Sequence, residues 1–335
     1  MAQMKYYYEL TISSSPHVHS PVTTQTIMRD VLIALLPALI GSVYFFGFRA
    51  LTVTLVSVAA CVFFEWLWCK LRKQHSKVYD LSACVTGVLL AFVCPVTIPY
   101  WTIIIGAAFA ILLVKMLFGG LGRNFVNPAL AGRAFMFNWP VLMSNWVKVG
   151  FENAADVFSA VDAVTAPTPL ASMHMEHTID WSAGSLMDMF LGNVGGCIGE
   201  TSVVLLLIGF AYLLVRKVIT PRIPLAYIGT VAVISLVMPM GNDPLIWTAA
   251  QLCSGGLMLG AIFMATDYVT SPLTKMGQII YGIGCGVLTM LIRYFGGYSE
   301  GVSYAILVMN CVVVLLDRVG RPVKFGAPKK EAAKQ

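Results

Sequence analysis

The feature that most limits what this chain can become is a recurring apolar stretch, close to the roughly twenty residues that carry a helix across a bilayer. About ten such stretches occur, near 31–48, 51–69, 81–98, 101–118, 126–142, 197–215, 223–240, 245–266, 277–293 and 302–317. Between them little charge remains. Hydrophobic residues make up 58% of the chain and charged residues 11%, against about a quarter charged in soluble domains. The chain is therefore predicted to be an all-α integral membrane protein of about ten transmembrane helices.

The charges that remain are unevenly placed. Lys70, Arg72, Lys73 and Lys77 follow the second stretch; Arg216, Lys217 and Arg222 separate the sixth and seventh; Arg318, Arg321, Lys324, Lys329 and Lys330 follow the last. With a cytoplasmic N-terminus all three groups fall on the cytoplasmic side, and the other face keeps only Arg49, Lys148 and Arg293. That asymmetry follows the positive-inside rule, so the formal charge of +6 reads as orientation in a bilayer and not as affinity for nucleic acid. Both termini are then cytoplasmic, and the loop 143–196 lies outside the cytoplasm. The first thirty residues contain no compact apolar core followed by a small-residue cleavage site, so the first apolar segment is expected to stay as an anchor. The eight cysteines fall mostly in apolar runs and form no C-x-x-C pair, which favours small buried hydrophobes over disulfides or zinc.

Two stretches share a design. "CVTGVLLAFVCPVTIPYW" (84–101) and "CSGGLMLGAIFMATDYVTSPL" (253–273) each open on small residues, continue as apolar helix and break at Pro/Thr-rich sequence. The expected layout is a cytoplasmic segment 1–30, a five-helix repeat 31–142, the loop 143–196, a second five-helix repeat 197–317, and a basic tail 318–335. An odd number of spans per half inverts the two repeats, and interrupted helices are a recurring feature of such architectures. Broken helices free backbone groups that lipid cannot satisfy. Gly and Pro are also simply common in membrane helices.

Candidate site residues lie in three places. The strip "DAVTAPTPLA" (162–171) sets Asp162, Thr165 and Thr168 among prolines that hold Thr168 out of helix. Asn124 and Asn127 stand at a helix start, where amides cap. Asp267 lies within or at the edge of the eighth segment, where an acid is costly and usually faces a cavity or partner. "MHMEH" brings His174, Glu176 and His177 together, a set too loose to predict a metal site.

The strings "KMLFGGLGRNFVNPALAGRAF" (115–135), "SPHVHSPVTTQTIMRDVLIALLPALIG" (15–41), "DAVTAPTPL" and "MATDYVTSP" (264–272) together resemble one family over nearly the whole chain. It comprises RnfD, of the Rnf ion-translocating electron-transport complex, and NqrB, of the sodium-pumping NADH:quinone reductase. The short N-terminus and the "TPL" look more like the Rnf member. The resemblance implies FMN joined to a threonine through a phosphoester. That residue is Thr168 here, with Thr165 opening the string and serving as fallback acceptor, Asp162 upstream, and Pro167 standing where the pattern usually has alanine. It also implies non-covalent riboflavin between the helices near Asn124 and Asn127. Asp267 would serve ions, flavin or only a helix break. The implied partners are the lipid bilayer, the other Rnf components RnfA, RnfB, RnfC, RnfE and RnfG, and a flavin transferase. The implied function is electron relay coupled to Na⁺ or H⁺ export in the cytoplasmic membrane. The rival reading is a channel or transporter of inverted-repeat type without covalent flavin, and a bare scaffold is a third.

Overall fold

The computed structural model describes residues 22–73, 78–147, 168–176, 186–241 and 243–319. Among them the chain is helical, with no strand. The first part holds α1 (Thr24–Phe46), α2 (Phe48–Leu71), α3 (Ser82–Phe92), α4 (Tyr100–Ala108), α5 (Pro128–Met136) and α6 (Pro140–Met143). The short helices α7 (Pro169–Glu176) and α8 (Leu186–Leu191) follow. The last part holds α9 (Val203–Val215), α10 (Arg222–Val237), α11 (Pro244–Cys253), α12 (Leu257–Leu259), α13 (Lys275–Phe295) and α14 (Val302–Leu316). Two helices run on with π geometry, α4 into Phe109–Met116 and α12 into Gly260–Met264.

Local chemistry sets several of these boundaries. Thr23 caps α1 reciprocally with Thr26, satisfying two of the amides that a helix start leaves open. Pro128 opens α5 behind Asn127, whose side chain accepts from the amides of Ala129 and Leu130. Leu81 adopts φ 63° before α3, and the Asp80 carboxylate takes the Ser82 amide at 2.9 Å.

α1, α2 and α13 are each long and apolar enough to cross a membrane, and α11 with Leu257–Met264 forms a fourth run bent by 63°. The other apolar stretches appear as shorter helices. Residues 126–142 fold as α5 and α6 instead of one long helix, and the nine residues of α5 span about 14 Å at 1.5 Å per residue. The cysteines are free, and five of them are buried as expected, whereas Cys311 is exposed on α14.

Both sequence breaks are present. α3 ends at Phe92, and the chain runs without helix to α4. Its freed carbonyls are nearly all met. Gly199 N–H donates to Phe92 O at 2.9 Å and Ile198 N–H to Cys94 O at 3.0 Å. Cys197 Sγ donates to Val93 O at 3.3 Å. Arg49 Nε–H donates to Val96 O at 2.8 Å, and its Nη2 reaches the oxygens of Thr97 and Ile98 at 3.4 and 3.5 Å. The second expected break is the non-helical run 265–274 before α13; a further break, between α11 and α12 at the small residues 254–256, is met in the same way as the first. Arg293 Nη1–H donates to Gln251 O at 2.7 Å and Nη2–H to Ser254 O at 3.1 Å. Two of the three arginines and lysines that stood against the positive-inside pattern are thus buried on helix-break carbonyls.

Gly199 seats the first break, since a Cβ there would lie 2.2 Å from the Phe92 ring. We expect Arg49→Met to lower unfolding stability in detergent by about 3 kcal/mol, because carbonyls are left dry when a charged donor is removed. Arg49→Lys should recover part of that loss, and an unchanged thermal midpoint for Arg49→Met would contradict this role.

Candidate functional site

The two cavities of interest sit at different sets of connections. The larger, about 180 Å³, lies among residues 137–146, the segment 194–201, the α11–α12 break and the 298–300 turn. Phe137, Trp146, Thr168, Glu200, Ser254 and Tyr298 are among its walls. The smaller, about 80 Å³, is lined by Asn124, Asn127, Lys115, Thr86, Thr266 and Asp267 among others.

Thr168 stands at the lip of the larger cavity as the N-terminal cap of α7. Its Oγ1 accepts the Ala171 amide at 3.2 Å, and its carbonyl accepts the Ser172 amide at 3.1 Å. As the flanking prolines led us to expect, Thr168 itself stands outside helix, but not on an open strip. Instead Thr168 is half-buried, because Leu170 and Met173 of α7 insert into the core. His174 Nδ1–H donates to the Arg293 carbonyl at 2.7 Å, so this ring docks α7. The side chain of Glu176, and all of Asp162, Thr165 and His177, lie outside the described residues.

The cavity floor carries buried charge. Arg133, on α5 and 2% exposed, donates to Ser303 Oγ at 2.7 Å and to Glu300 Oε2, and its Nη1 stands 3.5 Å from Glu200 Oε1. Its guanidinium also lies over the Phe137 ring, 5.5 Å from the centroid. Glu300 takes the Gly256 amide on its other oxygen at 2.8 Å. Burial would raise the Glu300 carboxyl, but Arg133 and these donors outweigh it and hold it at about 2. Glu200 Oε1 and Ser254 Oγ are buried without a hydrogen bond.

In the smaller cavity the structure brings together Asn124, Asn127 and Asp267, which are far apart in sequence. Asn127 both caps α5 and donates to Met264 O at 3.3 Å. Asn124 donates to Val126 O at 3.2 Å, while its Oδ1 is buried without a partner. Asp267 sits just past the π turn and accepts from Thr270 Oγ1 at 3.0 Å. Burial pushes its carboxyl above the ordinary range against these hydrogen bonds. Lys115 Nζ donates to Glu65 at 2.8 Å and to Ser82 Oγ at 2.6 Å, forming a buried ion pair across α2, α3 and the π segment after α4.

These sites suit the groups that the sequence resemblance implies. The unpartnered Asn124 Oδ1 is an acceptor awaiting a neutral N–H donor. The larger cavity pairs a helix start, which favours a phosphate, with aromatic walls for a flat ring.

Comparison with known proteins decides the family. The model described as the NQR2, RnfD, RnfE family matches residues 11–326. The chain belongs to that family. It is 46% identical over 328 residues to the D subunit of the Na⁺-translocating ferredoxin:NAD⁺ oxidoreductase complex of Acetobacterium woodii, covering 96% of this chain and 98% of that protein. It is 43% identical over 326 residues to the D subunit of the proton-translocating ferredoxin:NAD⁺ oxidoreductase complex of Clostridium ljungdahlii, covering 94% and 96%. The D subunit of the ion-translocating oxidoreductase complex of Aeromonas salmonicida is 35% identical over 347 residues, covering 95% and 99%. Within this family the ion in the name differs between two proteins of nearly equal similarity.

Sequence reading missed Arg133, Glu200, Glu300 and the Lys115–Glu65 pair. A signal existed for four of them: Glu65, Lys115, Arg133 and Glu200 are charges inside the apolar stretches, where an ionisable side chain marks a site by default. Because truncating one partner strands the other charge, Arg133→Met should cost about 3–5 kcal/mol. Adding Glu300→Gln to Arg133→Met should restore part of that. Denaturant unfolding in detergent measures both, and equal losses for the single and double variants would contradict the pairing.

Proposed function

We propose that this chain is the flavin-carrying D subunit of an ion-translocating ferredoxin:NAD⁺ oxidoreductase complex, relaying electrons across the cytoplasmic membrane coupled to Na⁺ or H⁺ export. The observation that carries the reading is Thr168 at the lip of an aromatic-walled cavity, in a chain of this family. Thr168 is the acceptor of the FMN phosphoester, with Asp162 upstream and Thr165 the fallback. The Leu170 amide at the start of α7, with the Ala171 amide that Thr168 Oγ1 accepts, offers hydrogen bonds to the phosphate. Phe137, Trp146 and Tyr298 supply the faces that hold the ring. Asn124, Asn127 and Asp267 are the polar wall for non-covalent riboflavin in the second cavity. The flavins supply electron transfer, and this chain fixes their position and surroundings.

We read the bundle as two inverted five-helix repeats, 31–142 and 197–317, crossing the membrane ten times with both termini cytoplasmic. The order of neighbours supports this. α2 packs on α3 and α4 as α10 packs on α11 and α13, while α1 meets α9 and α5 meets α14 across the halves. The cavity with Thr168 then faces outward and the Asn124 cavity faces the cytoplasm. A hydrocarbon core of about 30 Å makes carriers on both sides useful. Ferredoxin and NAD⁺ chemistry belongs to partners, with RnfA, RnfB, RnfC, RnfE and RnfG completing the complex and a flavin transferase maturing this chain. The solute-pore reading is disfavoured because the break carbonyls that could line a pore are taken by Arg49 and Arg293.

In-gel fluorescence of denatured protein from cells with the flavin transferase tests the assignment. Thr168→Ala should abolish the signal, and Thr165→Ala should keep it. A fluorescent Thr168→Ala band, or a dark wild-type band, would overturn it.

A further inference from the structure

The floor of the larger cavity holds more carboxylate than its cation can satisfy. Carboxyl oxygens of Glu200 and Glu300 and the Cys197 sulfur lie within 4.8 Å of one another. Arg133 is the one guanidinium paired with this group among the described residues. Glu300 is fully engaged, by Arg133 on one oxygen and by the Gly256 amide on the other. Glu200 is 5% exposed, and its Oε1 has no hydrogen bond. Arg293 of α13 is close, but its guanidinium donates to the Gln251 and Ser254 oxygens of the α11 break. The buried thiol of Cys197 lines the same cavity.

Two carboxylates this close cannot both ionise cheaply, and one proton shared between them removes the repulsion. A buried carboxylate with one oxygen held only by a 3.5 Å ion-pair contact is costly, and the neutral acid is far less so. The engaged Glu300 is the anion, which leaves the proton to Glu200.

We propose that Glu200 is the proton-exchanging group of this cavity, holding a proton while the flavin on Thr168 is oxidised and giving it to the ring as an electron arrives. The inference rests on the flavin reading above. One electron comes from a one-electron carrier of the complex. The Glu200 O–H bond breaks, an N–H bond forms on the ring, and Glu200 remains as a carboxylate beside Arg133. Oxidation by the next one-electron carrier returns the proton to Glu200. Charge reaching a buried site is thereby neutralised on arrival, with Arg133 holding the carboxylate that is left. Arg133 and Glu300 are positioning residues in this scheme.

The test uses the assembled complex. The midpoint potential of the covalent flavin, followed spectroelectrochemically, should fall by about 59 mV for each tenfold drop in proton activity in the wild type, the value for one proton per electron. Glu200→Gln should flatten that dependence, and Glu200→Asp should keep it. An unchanged slope in Glu200→Gln would overturn the proposal. Infrared difference spectra give a second reading that does not need the flavin. The carbonyl band of a protonated carboxyl should be present at neutral pH in the wild type and in Thr168→Ala, and absent from Glu200→Gln. If the wild type carries no covalent flavin, the functional reading fails while this band still decides where the proton resides. Absence of the band from the wild type, including where Glu200→Gln does not assemble, would overturn the proposal.

Discussion

A helix that stops inside a membrane leaves carbonyl groups with nothing to accept from, and lipid offers them no donor. Two such stops shape this protein, and each is closed by a buried arginine. Arg49 reaches three successive carbonyls beyond α3, and Arg293 closes the end of α11. Without those donors the breaks would leave buried carbonyls unpaired, and without the breaks there would be no polar recess between the helices. The guanidinium suits the task because its planar fork serves several acceptors at once and it keeps its charge.

The same breaks position the rest of the site. The segment 197–199 pairs with the carbonyls of 92–94, which brings Glu200 to the cavity floor beside Arg133. Gly256, at the α11–α12 break, gives its amide to Glu300. The π segments Phe109–Met116 and Gly260–Met264 flank the other cavity, presenting Lys115 and Asp267 where a regular helix would set a different face. Departures of this kind are frequent at functional sites. Two of the polar clusters inside the bundle line cavities, one beneath Thr168 and one around Asn124.

Much of this was legible in the sequence because it depended on local composition. Apolar runs gave the membrane class, Pro/Thr-rich strings gave the breaks after α3 and before α13 but not the one between α11 and α12, and Asn127 before Pro128 gave the start of α5. What stayed hidden depended on partners distant along the chain. Nothing near Arg133 announces Glu300, 167 positions away, and nothing near Glu200, close to the start of its apolar run, announces Arg133 or Glu300. The half-buried setting of Thr168 was hidden for the same reason, since α7 is drawn inward by Leu170, Met173 and the His174–Arg293 hydrogen bond. Arg49 and Arg293 were visible as exceptions to the charge rule, but their purpose needed the breaks to be seen in three dimensions.

The account stands on a flavin held at one hydroxyl on the rim of the arginine-floored cavity. Peptide mass mapping of the chain isolated with its complex tests this most directly. It should show the peptide spanning Thr168 heavier by one FMN less one water, with fragment ions assigning the addition to Thr168. Recovery of that peptide unmodified, from cells that make the flavin transferase, would contradict the account.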